Sequence, residues 1–135
     1  MSTLKSYREL IVWQKSIELA KKIYALTQLF PKEEMYGLTS QLRRASVSIC
    51  CNIAEGQARN STGEFKQFLG ISKGSLAELE TLLLLSKEMH LLKVSDYQEL
   101  SDHCEEINKL LNGLLKSLTT RHLPLATNHY MGGLL

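Results

Sequence analysis

The stretch from Gln41 to Glu80, QLRRASVSICCNIAEGQARNSTGEFKQFLGISKGSLAELE, decides the fold. Two helical patterns meet in it across one short break. In the first, Leu42, Ala45, Ile49, Ile53 and Gly56 recur at spacings of three and four, the period of a helix with one apolar face. In the second, Phe65, Phe68, Leu69, Ser72, Leu76 and Leu79 do the same. Between them Ser61-Thr62-Gly63-Glu64 fits the S-x-x-E capping box, whose hydroxyl and carboxylate satisfy backbone N–H groups that a new helix leaves unpaired. Small residues are frequent on both sides, and Gly70 and Gly74 stand one turn apart. The pattern predicts a helical hairpin whose backbones approach closely, with Gly70 and Gly74 at the contact.

Outward from the hairpin, Ser6-Tyr7-Arg8-Glu9 is another capping box. It predicts a first helix running to about Phe30, where Pro31 biases its predecessor away from helical geometry. The apolar positions form two stripes, one of Leu10, Trp13, Ile17, Ala20, Tyr24 and Thr27, the other of Val12, Leu19, Ile23, Leu26 and Phe30. A face this wide predicts more than one neighbour. Pro31-Lys32-Glu33-Glu34 reads as a turn, and the second helix starts near Leu38. The third runs to about Met89, and its Leu82–Leu85 run, apolar nearly all round, predicts burial on several sides. Ser95-Asp96-Tyr97-Gln98 predicts the cap of a fourth helix. There Tyr97, Leu100, Cys104, Ile107, Leu111, Leu114 and Leu118 keep a 3-4 spacing that ends near Thr120.

Four helices with short loops predict an all-α, antiparallel up-down-up-down bundle. Residues 1–120 are expected to form its single domain, and residues 121–135, which lack any period, a flexible tail. The surplus apolar surface of the first and third helices predicts a homo-oligomer.

Composition narrows the setting. No apolar run reaches the roughly 18 residues of a membrane span, and MSTLKSYREL holds no signal-peptide core, so the expected location is the cytoplasm, with no membrane partner. Cys50, Cys51 and Cys104 are an odd set without C-x-x-C spacing, expected to be free and buried as small apolar side chains. The net charge of +2 is unevenly spread: residues 1–75 carry 11 Lys or Arg against 6 acids, residues 76–135 carry 5 against 8. Such asymmetry suits an anion-facing half and a partner-facing half.

No catalytic constellation emerges. The Glu-x-x-His pairs of a di-iron bundle are missing, and His90, His103, His122 and His129 fall in no metal-ligand spacing. There is no P-loop, dinucleotide fingerprint or G-x-S-x-G. The expectation is a protein without metal, cofactor or enzymatic activity. Arg43, Arg44, Asn52 and Glu55, with Glu78 or Glu80, are expected to form a hydrogen-bond and ion-pair network locking the second helix to the third, because buried ions need partners. Two basic lines carry the functional expectation. Arg8, Lys15 and Lys22 recur every seven residues, and Lys66, Lys73 and Lys87 share one heptad position interrupted by Glu80. Such lines suit sequence-independent phosphate contacts with RNA or DNA, and no aromatic cluster suggests base stacking.

The residues also carry a family resemblance. Leu10, Val12-Trp13-Gln14-Lys15, Leu19, Ile23-Tyr24 and Phe30-Pro31 resemble the opening of the large-subunit (23S) rRNA intervening-sequence proteins, also called four-helix bundle proteins. Gln41-Leu42-Arg43-Arg44-Ala45, Val47-Ser48-Ile49 and Asn52-Ile53-Ala54-Glu55-Gly56 carry the strongest match, and Gly74-Ser75-Leu76 with Glu78-Leu79-Glu80-Thr81 continues it. The resemblance covers roughly residues 7–119. Cys50 and Cys51 depart from it, standing where the family usually has proline and a small residue. Members resemble small bacterial bundles, some encoded within insertions in rRNA genes. They are similar to the accessory variability determinants of diversity-generating retroelements, basic homopentamers that bind nucleic acid and associate with a reverse transcriptase. The resemblance thus implies the same bundle, a pentameric ring and an accessory role beside a nucleic-acid enzyme. The rival expectation is a protein-interaction scaffold with no nucleic-acid role.

Overall fold

The computed structural model describes residues 6–122. It contains four α-helices, α1 (Ile11–Thr27), α2 (Leu38–Ala58), α3 (Thr62–Glu88) and α4 (Val94–His122), and no strand among the described residues. None of the helices is long and apolar enough to cross a membrane. Because α4 extends to His122, residues 123–135 of the expected tail lie outside the described residues.

The central hairpin forms where the capping box puts it. Ser61 Oγ accepts the Glu64 backbone N–H at 3.0 Å and lies 3.3 Å from Glu64 Oε1. Leu38, Leu42, Ala45, Ile49, Ile53 and Gly56 are all buried on α2. Leu69, Ser72, Leu76, Leu79, Leu82, Leu83 and Ser86 meet them from α3. The close approach, however, is made by Gly56 rather than by Gly70 and Gly74. A Cβ on Gly56 would stand 2.6 Å from Phe68 Cβ, 3.1 Å from Phe65 Cδ1 and 3.3 Å from the Phe65 carbonyl oxygen. A Cβ on Gly70 or Gly74 would meet nothing within 4 Å. Those two glycines lie on the outer side of α3, about half a turn from Ser72 and Leu79.

Ser6 caps a short 3-10 turn, Tyr7–Glu9, by accepting the Arg8 N–H at 3.0 Å. Leu10 then takes an extended conformation, so α1 starts one step later than its capping box suggests. It ends at Thr27 rather than Phe30, and Phe30 is buried in the turn that follows. Val12, Ser16, Leu19, Ala20, Ile23 and Thr27 face the core. The second apolar stripe is therefore the core stripe, and much of the first lies at the edge: Trp13 and Ile17 are half-buried and Tyr24 is exposed. On α3, Leu82 and Leu83 are buried, but Leu84 and Leu85 are not, so burial on several sides does not occur within the chain. The α3–α4 turn places His90 at φ 62°, left-handed, where it stops α3. Helix α4 begins at Val94, so Ser95 lies inside its first turn instead of capping it. Its core stripe holds: Leu100, Cys104, Ile107, Leu111 and Leu118 are buried, with Tyr97 and Leu114 packed beside them.

Contacts fix which ends meet. Lys15 pairs with Glu106 and Lys22 with Glu99, so numbers rise along α1 as they fall along α4. Likewise Lys73 meets Asn112, and Lys87 lies over the Tyr97 ring.

Candidate nucleic-acid interface

The two basic lines end up on opposite flanks of α4. On the α1 side, Lys15 Nζ lies 3.1 Å from Glu106 and Lys22 Nζ 2.7 Å from Glu99. Arg8 stands exposed in the turn before α1. On the α3 side, Lys73 Nζ donates to Asn112 Oδ1 at 2.6 Å, while Lys87 sits 4.6 Å from the Tyr97 ring centroid and 3.6 Å from Glu88. Lys66 is half-buried. The acids of α4 thus attend Lys15 and Lys22, while Lys66 and Lys73 are in no ion pair among the described residues.

The Lys73–Asn112 contact sets a further pair of lysines near this line, on the exposed side of α4 one turn either way from Asn112. Lys116 is one turn beyond Asn112, about 6 Å along α4, and Lys66 is two turns before Lys73, about 10 Å along α3. Lys109 lies one turn the other way, 3.9 Å from Glu105. Residues 65–77 of α3 and 107–119 of α4 contain these four lysines and no acid. Lys109 and Lys116 are seven apart, the same signal that marks the other lines. The acids earlier on α4 hide it when charge is averaged over that half of the chain.

The polar network expected around α2 separates into three unrelated parts. Arg43 turns to α1: its Nε donates to Thr27 Oγ1 at 2.9 Å, its Nη2 to the Tyr24 carbonyl at 3.4 Å, and its guanidinium stacks 4.6 Å from the Tyr24 ring centroid. A cation over the last carbonyls of a helix opposes their partial negative charge. Glu55 pairs with Arg59 one turn on, at 3.0 Å, and Arg59 also reaches Glu64 and the Phe68 ring at the hairpin corner. Arg44 and Glu78 are exposed and in no ion pair among the described residues. Away from the Arg59–Glu64 corner, what links α2 to α3 is uncharged. Ser72 Oγ donates to the Ile49 carbonyl at 2.9 Å and the Ser48 and Ser75 hydroxyls meet at 2.7 Å, while Asn52 Nδ2 stays within α2, donating to the Ser48 carbonyl at 2.8 Å. Hydroxyls reach such partners at lower desolvation cost than ions do.

Two of the three thiols are buried, and Cys51 is exposed because it sits on the side of α2 away from the core. Burial pushes Cys50 up to about 11, with the neighbouring Cys51 adding to it, and Cys104 up to about 12. Thiolate is the reactive form. Iodoacetamide at pH 8 is therefore expected to label Cys51 rapidly and Cys50 and Cys104 only on unfolding, as read by peptide mass mapping.

His103 lies among both ion pairs of the α1–α4 seam, with Nδ1 buried and unpartnered among the described residues. Burial holds its imidazole below the ordinary value of 6.5; Lys22 and Lys15 push the same way, and Glu106 and Glu99 oppose them. The unfolded chain then binds a proton more readily than the folded one, so stability rises with pH in this window. The contribution is complete above about pH 6.5 and is lost as pH falls through the folded value. Glu99, held below the carboxylate range by its bond to Lys22, acts only at lower pH. The urea midpoint is expected to drop between pH 7 and pH 5, and His103→Gln to flatten that drop.

Among the described residues no group of three or more His, Cys, Asp or Glu could hold a metal ion. Comparison with known proteins gives two findings. The sequence model of the 23S rRNA-intervening sequence proteins matches residues 8–113. A crystal structure from Bacteroides thetaiotaomicron, described as a protein of unknown function from the S23 ribosomal protein family, superposes with a TM-score of 0.74 at 29% identity. It covers 78% of this chain and 96% of its own. No curated protein matches the chain.

Proposed function

This chain belongs to the 23S rRNA-intervening sequence protein family, and from that premise we propose that it is a non-enzymatic, homo-oligomeric up-down-up-down bundle that binds nucleic acid through sequence-independent phosphate contacts. The observation that carries this reading is the set of Lys66, Lys73 and Lys116 near the Lys73–Asn112 contact of α3 and α4, none of them in an ion pair among the described residues, with Lys109 beside them paired only to Glu105. Lys15, Lys22 and Lys87 add to the attraction, since an exposed ion pair is worth at most about 1 kcal/mol and yields readily to a phosphate; Arg8 extends their line.

Self-association is supported by the outer side of α3. There Ile71 is exposed beside the open Gly70 and Gly74, and Leu85 and Met89 are exposed about three and four turns further on. Apolar residues flanking small ones let a second backbone come close. A ring repeats the lysine cluster in every protomer, so weak contacts add through avidity. The pentamer and an accessory role beside a reverse transcriptase belong to the same reading.

Filter binding of labelled RNA and DNA over a salt series tests the proposal, with light scattering in parallel. Tight binding at low salt that weakens linearly in log–log form, at a mass above one chain, is the expected result. No binding at low salt to either nucleic acid removes the nucleic-acid role and leaves an interaction scaffold.

A further inference from the structure

A second groove, between α1 and α2, shares no residue with the lysine cluster. Its inner end is a cavity of about 460 Å³ floored by Ile17, Ala20, Val47 and Cys50, with Lys21 at the rim. Tyr24 and Val47 continue it into a second cavity of about 530 Å³, where Met35, Tyr36, Arg43 and Arg44 form the open end. No acid lines either cavity. Tyr36 is 96% exposed, Met35 44% and Tyr24 43%, although all three are large and apolar in part. Tyr, Met and Arg are the residue types enriched where proteins meet.

Arg43 is held in place by Thr27 and Tyr24, so its guanidinium is presented to the groove without the entropy cost of fixing a free side chain. Arg44, one residue on, adds a cation that spends nothing on another ion pair among the described residues. Ile17, Ala20 and Tyr24 follow one another at spacings of three and four, which is the ridge spacing against which another helix seats.

We propose that the α1–α2 groove is a docking site for an acidic amphipathic helix of a partner protein, with the partner's apolar side chains over Ile17, Val47 and Cys50 and its carboxylates against Arg43, Arg44 and Lys21. The floor argues against nucleic acid, because phosphate contacts use hydrated cations and gain nothing from a dry aliphatic surface. The self-association surface proposed above lies on α3, which contributes no residue to this groove. The occupant is thus recognised by charge and helical spacing together, the mode in which a helix lies in a groove.

The test is selection from a displayed library of random peptides of about 16 residues, which span about 24 Å as a helix, on the intact protein. Enriched peptides are expected to carry Asp or Glu beside apolar residues at spacings of three and four. As synthetic fluorescent peptides, they should bind with affinity reduced about tenfold or more by Arg44→Glu or Tyr36→Ala. Both residues are exposed, so both variants keep the fold, checked by circular dichroism. Enrichment of basic or aperiodic peptides, no enrichment, or binding indifferent to both variants overturns the proposal. A fall to single-chain mass in light scattering for either variant gives the groove to a second copy and also overturns it. So does a loss of RNA affinity in Arg44→Glu as large as that in Lys73→Glu.

Discussion

Gly56→Ala is expected to destabilise the protein by about 2 kcal/mol, seen as a fall in melting temperature of roughly 8 °C or more. Alanine is intrinsically better than glycine in a helix by about 1 kcal/mol, so propensity alone predicts the opposite sign. The added methyl, however, would sit 2.6 Å from Phe68 Cβ and 3.3 Å from the Phe65 carbonyl oxygen. Neither atom is the free end of a flexible side chain, so relief requires α2 and α3 to move apart. That opens the packing of Ile49 and Ile53 against Leu69 and Leu76, all buried. Overpacking of this kind costs about 1–3 kcal/mol or more, and the backbone-anchored contact puts Gly56 at the upper end. Gly74→Ala supplies the contrast. Its methyl meets nothing within 4 Å, so the helix-propensity gain of about 0.5–1 kcal/mol should appear as increased stability. If both substitutions shift the melting temperature the same way, the close approach at Gly56 is not what limits helix separation.

Reversing Lys66, Lys73 and Lys116 together to glutamate is expected to lower RNA affinity by about 100-fold or more at 50 mM salt. The log–log salt slope should flatten by about two units per bound protomer. Each lysine that neutralises a phosphate releases counterions, so its loss changes the slope as well as the affinity. None of the three is in an ion pair among the described residues, and residues 65–77 and 107–119 bring no acid to compensate them. Folding should survive, because Lys66 and Lys73 are only half-buried and Lys116 is exposed. Lys15→Gln and Lys22→Gln test the other line. Each removes a cation already paired with Glu106 or Glu99, so each should change RNA affinity by less than about threefold. A larger effect from the paired lysines than from the acid-free cluster would move the interface to the α1–α4 seam.

Much of the architecture was legible in the order of residues. The α2 and α4 core stripes, Leu42–Ala45–Ile49–Ile53 and Leu100–Cys104–Ile107–Leu111, are local periodicities, and a helix turns period directly into one face. The capping box at Ser61 is equally local, since donor and acceptor lie three residues apart. The family could be named from the same local strings, within a match that spans residues 8–113. Helix ends were less legible. The extended Leu10 and the early start of α4 at Val94 depend on how the chain enters the core.

What sequence alone determined is therefore four amphipathic helices, the hairpin at their centre and the two basic lines. Only the tertiary structure decided which glycine is crowded, which of two apolar stripes on α1 is buried, and which lysines face acids. Gly56, Gly70 and Gly74 are indistinguishable as letters, yet one abuts Phe68 across the hairpin and two look outward. Lys15 and Lys73 are indistinguishable too, until α4 sets Glu106 beside one and Asn112 beside the other. The reason is the same in each case: period is a property of a single helix, whereas a close approach or an ion pair joins residues far apart in the chain, whose meeting is fixed by register.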